Sequence, residues 1–349
     1  MKILLVGSYR YEMYAPAFSY GFRQLGHEII EIDYQQFHLK GNGGLATILN
    51  RIQDRYHYGI KMYAYNKSIL DTVNREHPDM VFLYRCCHVY TSTLQKIKGK
   101  AILISYNNDD PFSGTPSDRY FRHHIANARC CDINYVYRKK NIADYAAIGI
   151  TNTKVLLPYY LSWQNYPIEC EKDIPIAFLG HFENDGRDQL ILALKNAGLP
   201  VVVFGDKQWK DAPLYSSISD VVFPDKRGKD YNNTINEVKI CLVFFSMINQ
   251  DTYTRRCFEI PAAKGLMLSE YSDEMNELFP ENESAVYFRS KEELVDKAQW
   301  LLDNPDEIKR ISQNAYNRVK QIGGTEVDRC YKITADIFNK MKSKRINVG

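Results

Sequence analysis

The stretch Lys2-Ile3-Leu4-Leu5-Val6 opens the chain as a short apolar run that ends at Gly7-Ser8. An amphipathic segment follows through about Gly26, and the next strand-like run is His27-Glu28-Ile29-Ile30-Glu31-Ile32. This order of strand, helix and strand predicts a βαβ unit, whose first loop lies at the carboxyl edge of a parallel sheet, where ligands of open sheets bind. The loop lacks the G-x-G-x-x-G pattern, so a dinucleotide site is not indicated.

The same alternation continues in two series and predicts an α/β fold with parallel sheets. Strand-like runs of the first series extend to residues 155–157, and the second series begins at residues 174–179. The stretch 162–173, with Pro167 and few periodic apolar residues, is the best linker between them. We therefore expect an amino-terminal Rossmann-like domain over residues 1–165, a carboxyl-terminal Rossmann-like domain over 166–326, and a final helix over 327–349 that packs back on the first domain.

Composition and charge exclude several classes of protein. The 349 residues include 45 Lys and Arg against 42 Asp and Glu, a net charge of +3 that does not indicate a dedicated nucleic-acid binder. No apolar run approaches the ~18 residues of a membrane span, and the amino terminus lacks a signal-peptide pattern, so we expect a cytoplasmic protein. None of the eight cysteines forms a C-x-x-C pattern, so no zinc site or disulfide framework is predicted.

The segment most informative about chemistry is Asn249-Gln250-Asp251-Thr252-Tyr253-Thr254-Arg255-Arg256-Cys257-Phe258-Glu259, after the apolar run 238–245. A polar loop leads here into a short helix whose first turn carries Arg255 and Arg256. Backbone N–H groups, the helix dipole and two guanidinium groups then converge where a diphosphate can bind. Glu259, one turn later, is placed to accept hydrogen bonds from ribose hydroxyls. The alternative is a surface helix with an intrahelical Arg–Glu pair.

Five further sequence segments follow this helix in a fixed order: Ala262-Ala263-Lys264-Gly265, Glu277-Leu278-Phe279, Ala285-Val286-Tyr287-Phe288, Lys291-Glu292-Glu293-Leu294 and Asn304-Pro305. Together with Thr254-Arg255-Arg256-Cys257-Phe258-Glu259 they resemble the carboxyl-terminal half of the group 1 glycosyltransferases, most closely the CgeB-like branch. The resemblance spans roughly residues 174–330, about half of the chain.

This resemblance implies a GT-B enzyme, in which two Rossmann-like domains face a central cleft. The carboxyl-terminal domain would hold the nucleotide-sugar donor and the amino-terminal domain the acceptor. Many relatives carry an acidic-x7-Glu pattern, which Asp251 and Glu259 reproduce with Asp where glutamate is common. The resemblance implies that Asp251 orients the donor sugar as a catalytic residue, that Glu259 binds the ribose, and that Arg255 and Arg256 bind the diphosphate.

Two further segments of the second domain are candidates for donor binding. Phe178-Leu179-Gly180-His181-Phe182-Glu183-Asn184-Asp185-Gly186-Arg187 combines a strand, a glycine-containing loop and an arginine at a helix start, which present N–H groups and a cation to phosphate but also suit an ordinary βα turn. The resemblance implies that Gly180 and Arg187 contact the nucleotide-sugar donor. It also places Val222, Phe223 and Pro224 at the nucleobase, although they equally suit an ordinary strand and turn.

In the first domain, Ser105-Tyr106-Asn107-Asn108-Asp109-Asp110-Pro111-Phe112 follows the predicted strand 101–104. Adjacent carboxylates at a ligand-facing sheet edge can raise each other's pKa and provide a base, whereas the alternative is an Asx-turn before proline. CgeB-like proteins carry a similar Asp-Asp-Pro segment, which makes Asp109 or Asp110 the candidate for acceptor contact or general base. Asn107 and Arg10, which follows the first strand, are further acceptor-binding candidates.

We therefore expect a glycosyltransferase of polysaccharide biosynthesis that transfers a sugar from a nucleoside-diphosphate sugar, first of all a UDP-sugar, to a hydroxyl of a glycan or glycoconjugate. GT-B relatives stabilise the leaving diphosphate with cations of the protein, so the resemblance implies no essential metal. The alternatives are a phage-type DNA glucosyltransferase, which the small net charge does not favour, and a non-catalytic GT-B module that binds a nucleotide sugar or glycan. The basic tail 340–345 is a candidate for peripheral contact with the inner surface of the membrane.

Overall fold

A computed structural model describes residues 1–39, 44–114 and 118–346, apart from the side chains of residues 118, 119 and 341–346. The chain forms two units. The amino unit comprises Met1–Leu157 and Glu326–Gly349, and the carboxyl unit comprises Pro158–Thr325. Each unit is an α/β structure with a sheet of its own.

The amino unit contains a six-stranded sheet in which neighbouring strands are parallel. Its order is β2-β1-β3-β4-β5-β6, and the strands are β1 (Lys2–Gly7), β2 (Glu28–Asp33), β3 (Met80–Tyr84), β4 (Ile102–Asn107), β5 (Ile133–Val136) and β6 (Thr153–Val155). The helices that join them are α1 (Ala15–Gln24), α2 (Gly44–Tyr56), α3 (Ile60–Glu76), α4 (Thr91–Ile97), α5 (Asp118–Ala128) and α6 (Lys140–Ala147).

The apolar runs form the centre of this sheet because helices cover both faces of a parallel sheet. Leu4, Val81 and Leu103 on neighbouring strands are fully buried, and Ile69 of α3 and Leu94 of α4 pack in the same cluster. The polar residues that follow β1, β3 and β4 consequently lie along one edge, the carboxyl edge of the sheet.

The carboxyl unit repeats the architecture with a second six-stranded parallel sheet. Its order is β12-β11-β10-β7-β8-β9, and the strands are β7 (Ile174–Leu179), β8 (Val201–Gly205), β9 (Val222–Pro224), β10 (Val238–Val243), β11 (Leu266–Glu270) and β12 (Val286–Phe288). The helices are α7 (Arg187–Asn196), α8 (Tyr215–Ile218), α9 (Gly228–Glu237), α10 (Arg256–Ala262), α11 (Asp273–Leu278), α12 (Lys291–Asp303) and α13 (Pro305–Gln321).

Strand order in the carboxyl unit reverses between β7 and β10, which are neighbours in the sheet but distant in sequence. Ligands of open α/β sheets bind outside the carboxyl ends of the strands at such a switch point. The loops that follow β7 and β10 therefore form the first place to look for a bound nucleotide.

The last helix, α14 (Glu326–Ile346), returns to the amino unit and packs on α1. Their approach is close at Gly21, where a Cβ atom would lie 2.6 Å from Cys330 Sγ and 2.9 Å from the Glu326 carbonyl oxygen. A side chain at position 21 would therefore push the two helices apart. No helix of the described ranges combines the length and apolarity needed to cross a membrane.

These observations confirm the predicted fold class, an α/β protein with two Rossmann-like sheets. One strand boundary differs near a candidate site. The strand predicted over residues 101–104 runs from Ile102 to Asn107, because β4 keeps pairing with β5 up to Asn107 opposite Val136. Asn107 is thus the last residue of a strand and not part of the following loop.

Candidate active site

Arg256, the first residue of α10, lies against the end of β7 in the carboxyl unit. Its Nε donates a hydrogen bond to the Leu179 carbonyl oxygen, and its guanidinium carbon lies 5.2 Å from the centre of the Phe178 ring. At Gly180, a Cβ atom would lie 2.1 Å from Arg256 Nη2. A side chain at position 180 would therefore displace the guanidinium group from its place at the switch point between β7 and β10.

Trp209 fixes the same loop from the other side. It is fully buried, and its Nε1 donates to the Gly180 carbonyl oxygen over 2.8 Å. A Cβ atom at Gly205 would lie 2.1 Å from the Trp209 ring, so glycine at the end of β8 gives this indole its room. In the sequence, Gly205-Asp206-Lys207-Gln208-Trp209 stands out as a glycine-and-tryptophan stretch after a strand, but the contact of Trp209 with Gly180 was not predicted.

Glu259 is buried, and both of its carboxylate oxygens are engaged. Arg255 donates to Oε1 from Nε over 3.0 Å and from Nη2 over 2.8 Å, and the Tyr231 hydroxyl donates to Oε2 over 2.9 Å. Burial, followed by the Glu259 charge, raises the pKa of Tyr231 well above its usual value, which keeps the phenol protonated as a donor. The intrahelical Arg–Glu pair considered from the sequence is thus present. Oε1 already accepts two hydrogen bonds, whereas Oε2 accepts one and retains a lone pair for another donor.

Arg187 is buried with 3% exposure, and its guanidinium group is held inside its own loop. It pairs with Asp185 through Nε (2.8 Å) and Nη2 (2.5 Å), and its Nη1 donates to the His181 carbonyl oxygen over 2.7 Å. Glu183 lies 3.6 Å away. Two carboxylates therefore neutralise the guanidinium charge that the sequence analysis directed at a phosphate.

A cavity of about 450 Å³ lies beside this loop, within the range of small-molecule sites. Its lining includes His181, Glu183, Asn184, Gln208, Ser246 and Asn249. Burial favours the neutral form of Glu183, but hydrogen bonds from His181 and Ser246 and the nearby Arg187 charge outweigh it and hold its pKa below the usual value. The cavity wall thus carries a hydrogen-bonded carboxylate, a feature that sequence analysis missed because its partner Ser246 is 63 residues away.

Asp251 lies in the loop between β10 and α10 and is partly exposed. Its N–H donates to the Ser246 carbonyl oxygen over 2.9 Å. The next residue, Thr252, donates from Oγ1 to Glu274 over 3.0 Å and accepts at its carbonyl oxygen from the Ser272 hydroxyl. The start of α11 therefore holds the loop that carries Asp251.

Val222, Phe223 and Pro224 form β9, one of the two edge strands of the carboxyl unit's sheet. Within the sheet it pairs with β8, so its other side faces outward. Phe223 is 44% exposed, and its ring centre lies 6.1 Å from that of Phe204. This strand presents an aromatic side chain and backbone groups at the surface.

At the carboxyl edge of the amino unit, Asp109 and Arg85 form an ion pair. Arg85 follows β3 with a left-handed backbone conformation (φ 48°), and its guanidinium carbon lies 4.8 Å from the centre of the Tyr14 ring. The Asp109 side chain retains 24% exposure. Arg85 was not predicted from the sequence because the pair joins two strand ends 24 residues apart.

Asp110 differs sharply from its neighbour, because its side chain is fully buried. It accepts hydrogen bonds from Lys140 Nζ over 2.8 Å, from Asn141 Nδ2 over 2.9 Å and from the backbone N–H of Phe112 over 2.9 Å. The last of these bonds is the Asx-turn that the sequence analysis kept as an alternative.

Asn107 is buried at the end of β4, and its Oδ1 accepts from the Asp109 N–H over 3.2 Å. Its Nδ2 has no hydrogen-bond partner among the described residues. Arg10, in the loop after β1, is exposed, and its guanidinium carbon lies 5.1 Å from the centre of the Tyr11 ring. The described part of the chain contains no group of three or more His, Cys, Asp or Glu residues that could hold a metal ion.

Comparison with known proteins shows which class of enzyme the chain resembles. Residues 187–322 match a family model described as glycosyl transferase-like. No curated protein matches the chain significantly. Among solved structures, sucrose-phosphate synthase from Thermosynechococcus elongatus has a TM-score of 0.68 at 10% identity, with 99% of this chain and 100% of that chain covered.

Two further structures have the same fold. The Anabaena protein HepE, described in complex with UDP and glucose, has a TM-score of 0.65 at 12% identity over 97% of this chain and 100% of its own. A glycosyltransferase from Rickettsia africae has a TM-score of 0.64 at 14% identity over 97% and 98%. The family match over residues 187–322 and the shared fold confirm the predicted resemblance to glycosyltransferases of the group 1 type with the GT-B fold. Membership of the narrower CgeB-like branch stays a prediction.

Proposed function

We propose that this protein transfers a sugar from a UDP-sugar to a hydroxyl of a glycan or glycoconjugate without an essential metal ion. The carboxyl unit binds the donor and the amino unit binds the acceptor. The choice of nucleotide is supported by the similarity to HepE, which is described with UDP and glucose. The contact between Arg256 and Gly180 at the switch point of the carboxyl unit is the observation that carries the proposal.

The chemical reason is where charge develops in the reaction. The bond between the sugar C1 and the diphosphate oxygen breaks, and the negative charge of the leaving UDP increases. A guanidinium group already fixed by Leu179 and Phe178 stabilises that charge without reorganising, which lowers the barrier more than a mobile cation would. Arg256 is therefore the residue we assign to the diphosphate.

The other donor contacts follow from their positions in the carboxyl unit. Glu259 accepts from the ribose hydroxyls, with Arg255 and Tyr231 orienting its carboxylate. Asp251 orients the donor sugar, and the outer side of β9 contacts the uracil. Arg187 acts as a positioning residue that holds the loop carrying Gly180, because its own charge is already paired with Asp185.

On the acceptor side we assign the base to Asp109 and a structural role to Asp110. Asp109 retains exposure and is oriented by Arg85, whereas the Asp110 carboxylate is enclosed by Lys140 and Asn141. Asp109 takes the proton of the acceptor hydroxyl as its oxygen bonds to the sugar C1. The buried amide of Asn107 and the exposed Arg10 contribute polar contacts to the acceptor.

The first test is a thermal-shift series with UDP, GDP, CDP, dTDP and ADP, each with and without EDTA. A ligand that binds the native state stabilises it by about 2.7 kcal/mol at one hundred times its Kd. We expect UDP to raise the Tm with or without EDTA, and Arg256→Gln to abolish the shift. Arg310→Gln, at an exposed arginine on α13 paired with Glu307, is the matched control and keeps the shift.

The second test measures UDP release from UDP-sugars with a panel of glycan acceptors. Release that depends on an acceptor supports transfer. If no nucleotide shifts the Tm, the donor assignment is wrong. Nucleotide binding without release from any donor and acceptor pair favours a non-catalytic binding module instead.

A further inference from the structure

Helix α2 of the amino unit contacts its own unit through polar side chains. Asn50 accepts from the Leu39 N–H over 2.9 Å and donates to the Leu39 carbonyl oxygen over 3.1 Å. Gln53 Oε1 accepts from the Lys61 N–H over 2.9 Å, and Asp54 pairs with Lys61 Nζ over 2.5 Å. The face of α2 turned toward the unit is therefore hydrophilic.

The opposite face of α2 is apolar and exposed. Its residues recur at helical spacing within an arc of about 100°, and none of the residues of α2 is buried. We name this face the outer stripe; it consists of Leu45 (72% exposed), Ile48 (52%), Leu49 (40%), Ile52 (46%) and Tyr56 (52%). An amphipathic helix in a water-soluble unit normally turns such a stripe to the core, so α2 is inverted relative to the usual arrangement.

Apolar exposure continues in the residues that follow the helix. Tyr58 is 80% exposed, Ile60 is 77% exposed and Tyr63, in the first turn of α3, is 66% exposed. Single exposed apolar residues need no explanation. Eight of them within nineteen positions indicate a surface that a membrane or a protein partner covers.

The charges beside the outer stripe indicate what covers it. Arg51 and Arg55 are exposed on α2 at the flank of the stripe, and the exposed Arg122 donates to the Tyr56 carbonyl oxygen. Asp54, the acidic residue of α2, is turned away and paired with Lys61. Two copies of the chain meeting at this face would bring arginines together, whereas an anionic surface complements them.

The length and the residue types of α2 also fit a membrane surface. The 13 residues of α2 measure about 20 Å, too short for the ~30 Å hydrocarbon core of a bilayer, so the helix can lie in a membrane surface but not span it. Aliphatic residues in a stripe, tyrosines at its end and arginines at its flank are the composition of helices that lie in the interface between headgroups and acyl chains.

We propose that the outer stripe, together with Tyr58, Ile60 and Tyr63, inserts into the headgroup boundary of an anionic membrane and holds the amino unit on it. The proposal goes beyond the proposed transfer reaction and does not depend on it, because it concerns the binding of the full chain to lipid alone. It also assigns the contact to α2 rather than to the basic tail.

The experiment is flotation of the full-length protein with phosphatidylcholine vesicles and with vesicles that contain 30% phosphatidylglycerol. We expect binding to the anionic vesicles that weakens with salt, and a decrease in the partition constant of at least about tenfold in Ile48→Ser/Ile52→Ser, because two buried aliphatic side chains are lost. The matched control Trp300→Ser/Tyr331→Ser removes two exposed apolar residues elsewhere, 43% and 65% exposed, and keeps full binding.

A second variant separates charge from insertion. Arg51→Gln/Arg55→Gln is expected to lower the partition constant on anionic vesicles by about tenfold and to leave that on phosphatidylcholine unchanged. Circular dichroism and sedimentation velocity are measured for each variant. The proposal is overturned if the wild-type protein does not bind anionic vesicles, if the stripe variant binds as well as the control, or if the stripe instead supports a dimer that the serine variant dissociates.

Discussion

The guanidinium group of Arg256 occupies the space in which a side chain of residue 180 would lie: a Cβ atom there would be 2.1 Å from Nη2. We therefore predict that Gly180→Ala displaces the guanidinium group and weakens UDP binding by about tenfold or more, the worth of one hydrogen bond to a charged group. Isothermal titration with UDP measures this. Gly44→Ala, at a helical glycine with open space around it, is the control and retains affinity. Equal affinity in both variants would remove Arg256 from the diphosphate site.

The indole of Trp209 is predicted to stabilise the carboxyl unit and the Gly180 loop together. Trp209→Phe keeps an aromatic ring beside Phe178 and Phe182 but leaves the Gly180 carbonyl oxygen without its donor. We expect a loss of about 1–3 kcal/mol in the free energy of unfolding. All three tryptophans, Trp163, Trp209 and Trp300, belong to the carboxyl unit, so urea unfolding followed by tryptophan fluorescence reports on that unit alone. An unchanged transition midpoint would show that the bond contributes nothing.

Glu259 is predicted to distinguish ribose from deoxyribose. The wild-type protein should bind UDP more tightly than 2′-deoxy-UDP, by about tenfold if one charged hydrogen bond is lost. Glu259→Gln should reduce this preference, whereas Tyr231→Phe, which removes a partner of the carboxylate but not the carboxylate, should retain most of it. Competition binding with the two nucleotides measures both ratios. A preference that survives in Glu259→Gln would place the ribose elsewhere.

The two adjacent aspartates are predicted to separate stability from activity. Asp110→Asn weakens a fully buried site that accepts from Lys140 and Asn141, and should lower the free energy of unfolding by about 2–3 kcal/mol. Asp109→Asn changes a partly exposed pair with Arg85 and should cost less than ~1 kcal/mol while abolishing transfer. Calorimetry and acceptor-dependent UDP release measure the two effects. The reverse pattern would transfer the base role to Asp110.

Glu183 is predicted to make stability depend on pH. Its pKa in the folded protein lies below the usual 4.5 because its hydrogen bonds and the Arg187 charge outweigh burial. A depressed folded pKa contributes stability above the unfolded pKa, and this contribution is lost as pH falls through the folded value. Glu183→Gln should therefore be less stable than wild type at pH 7, with the difference shrinking below about pH 4.5. Thermal unfolding between pH 3 and pH 7 measures it, and a constant difference would contradict the assignment.

The fold was predictable from the sequence because the determinants are local. Buried strands such as β1 and β3 are continuous apolar runs, and glycine and polar residues in the loops after them mark where each strand ends. Arg256 and Gly180 were also predictable, because their residue types suit a phosphate site. Their direct contact was not, since 76 positions separate them in the sequence.

Other features of the site depended on partners distant in sequence. Arg187 has the residue type and loop position of a phosphate ligand, but its charge is already neutralised by Asp185. Asp109 and Asp110 are indistinguishable by spacing, and only the positions of Arg85 and Lys140 separate them. The apolar spacing of α2 by itself predicts burial, whereas the polar contacts of Asn50 and Gln53 turn the stripe outward.

Because α14 returns to the amino unit, the carboxyl unit (residues 158–325) is a continuous insertion in the sequence of the amino unit. The two ends of this insertion meet, because the Tyr160 N–H donates to the Gly324 carbonyl oxygen over 2.9 Å. An excised 158–325 fragment thus keeps all six strands of its sheet, while truncation before α14 removes the helix that covers α1 and exposes the contact at Gly21. Separating the two units by truncation should therefore need two cuts in the sequence and not one. A carboxyl-terminal deletion should destabilise the amino unit.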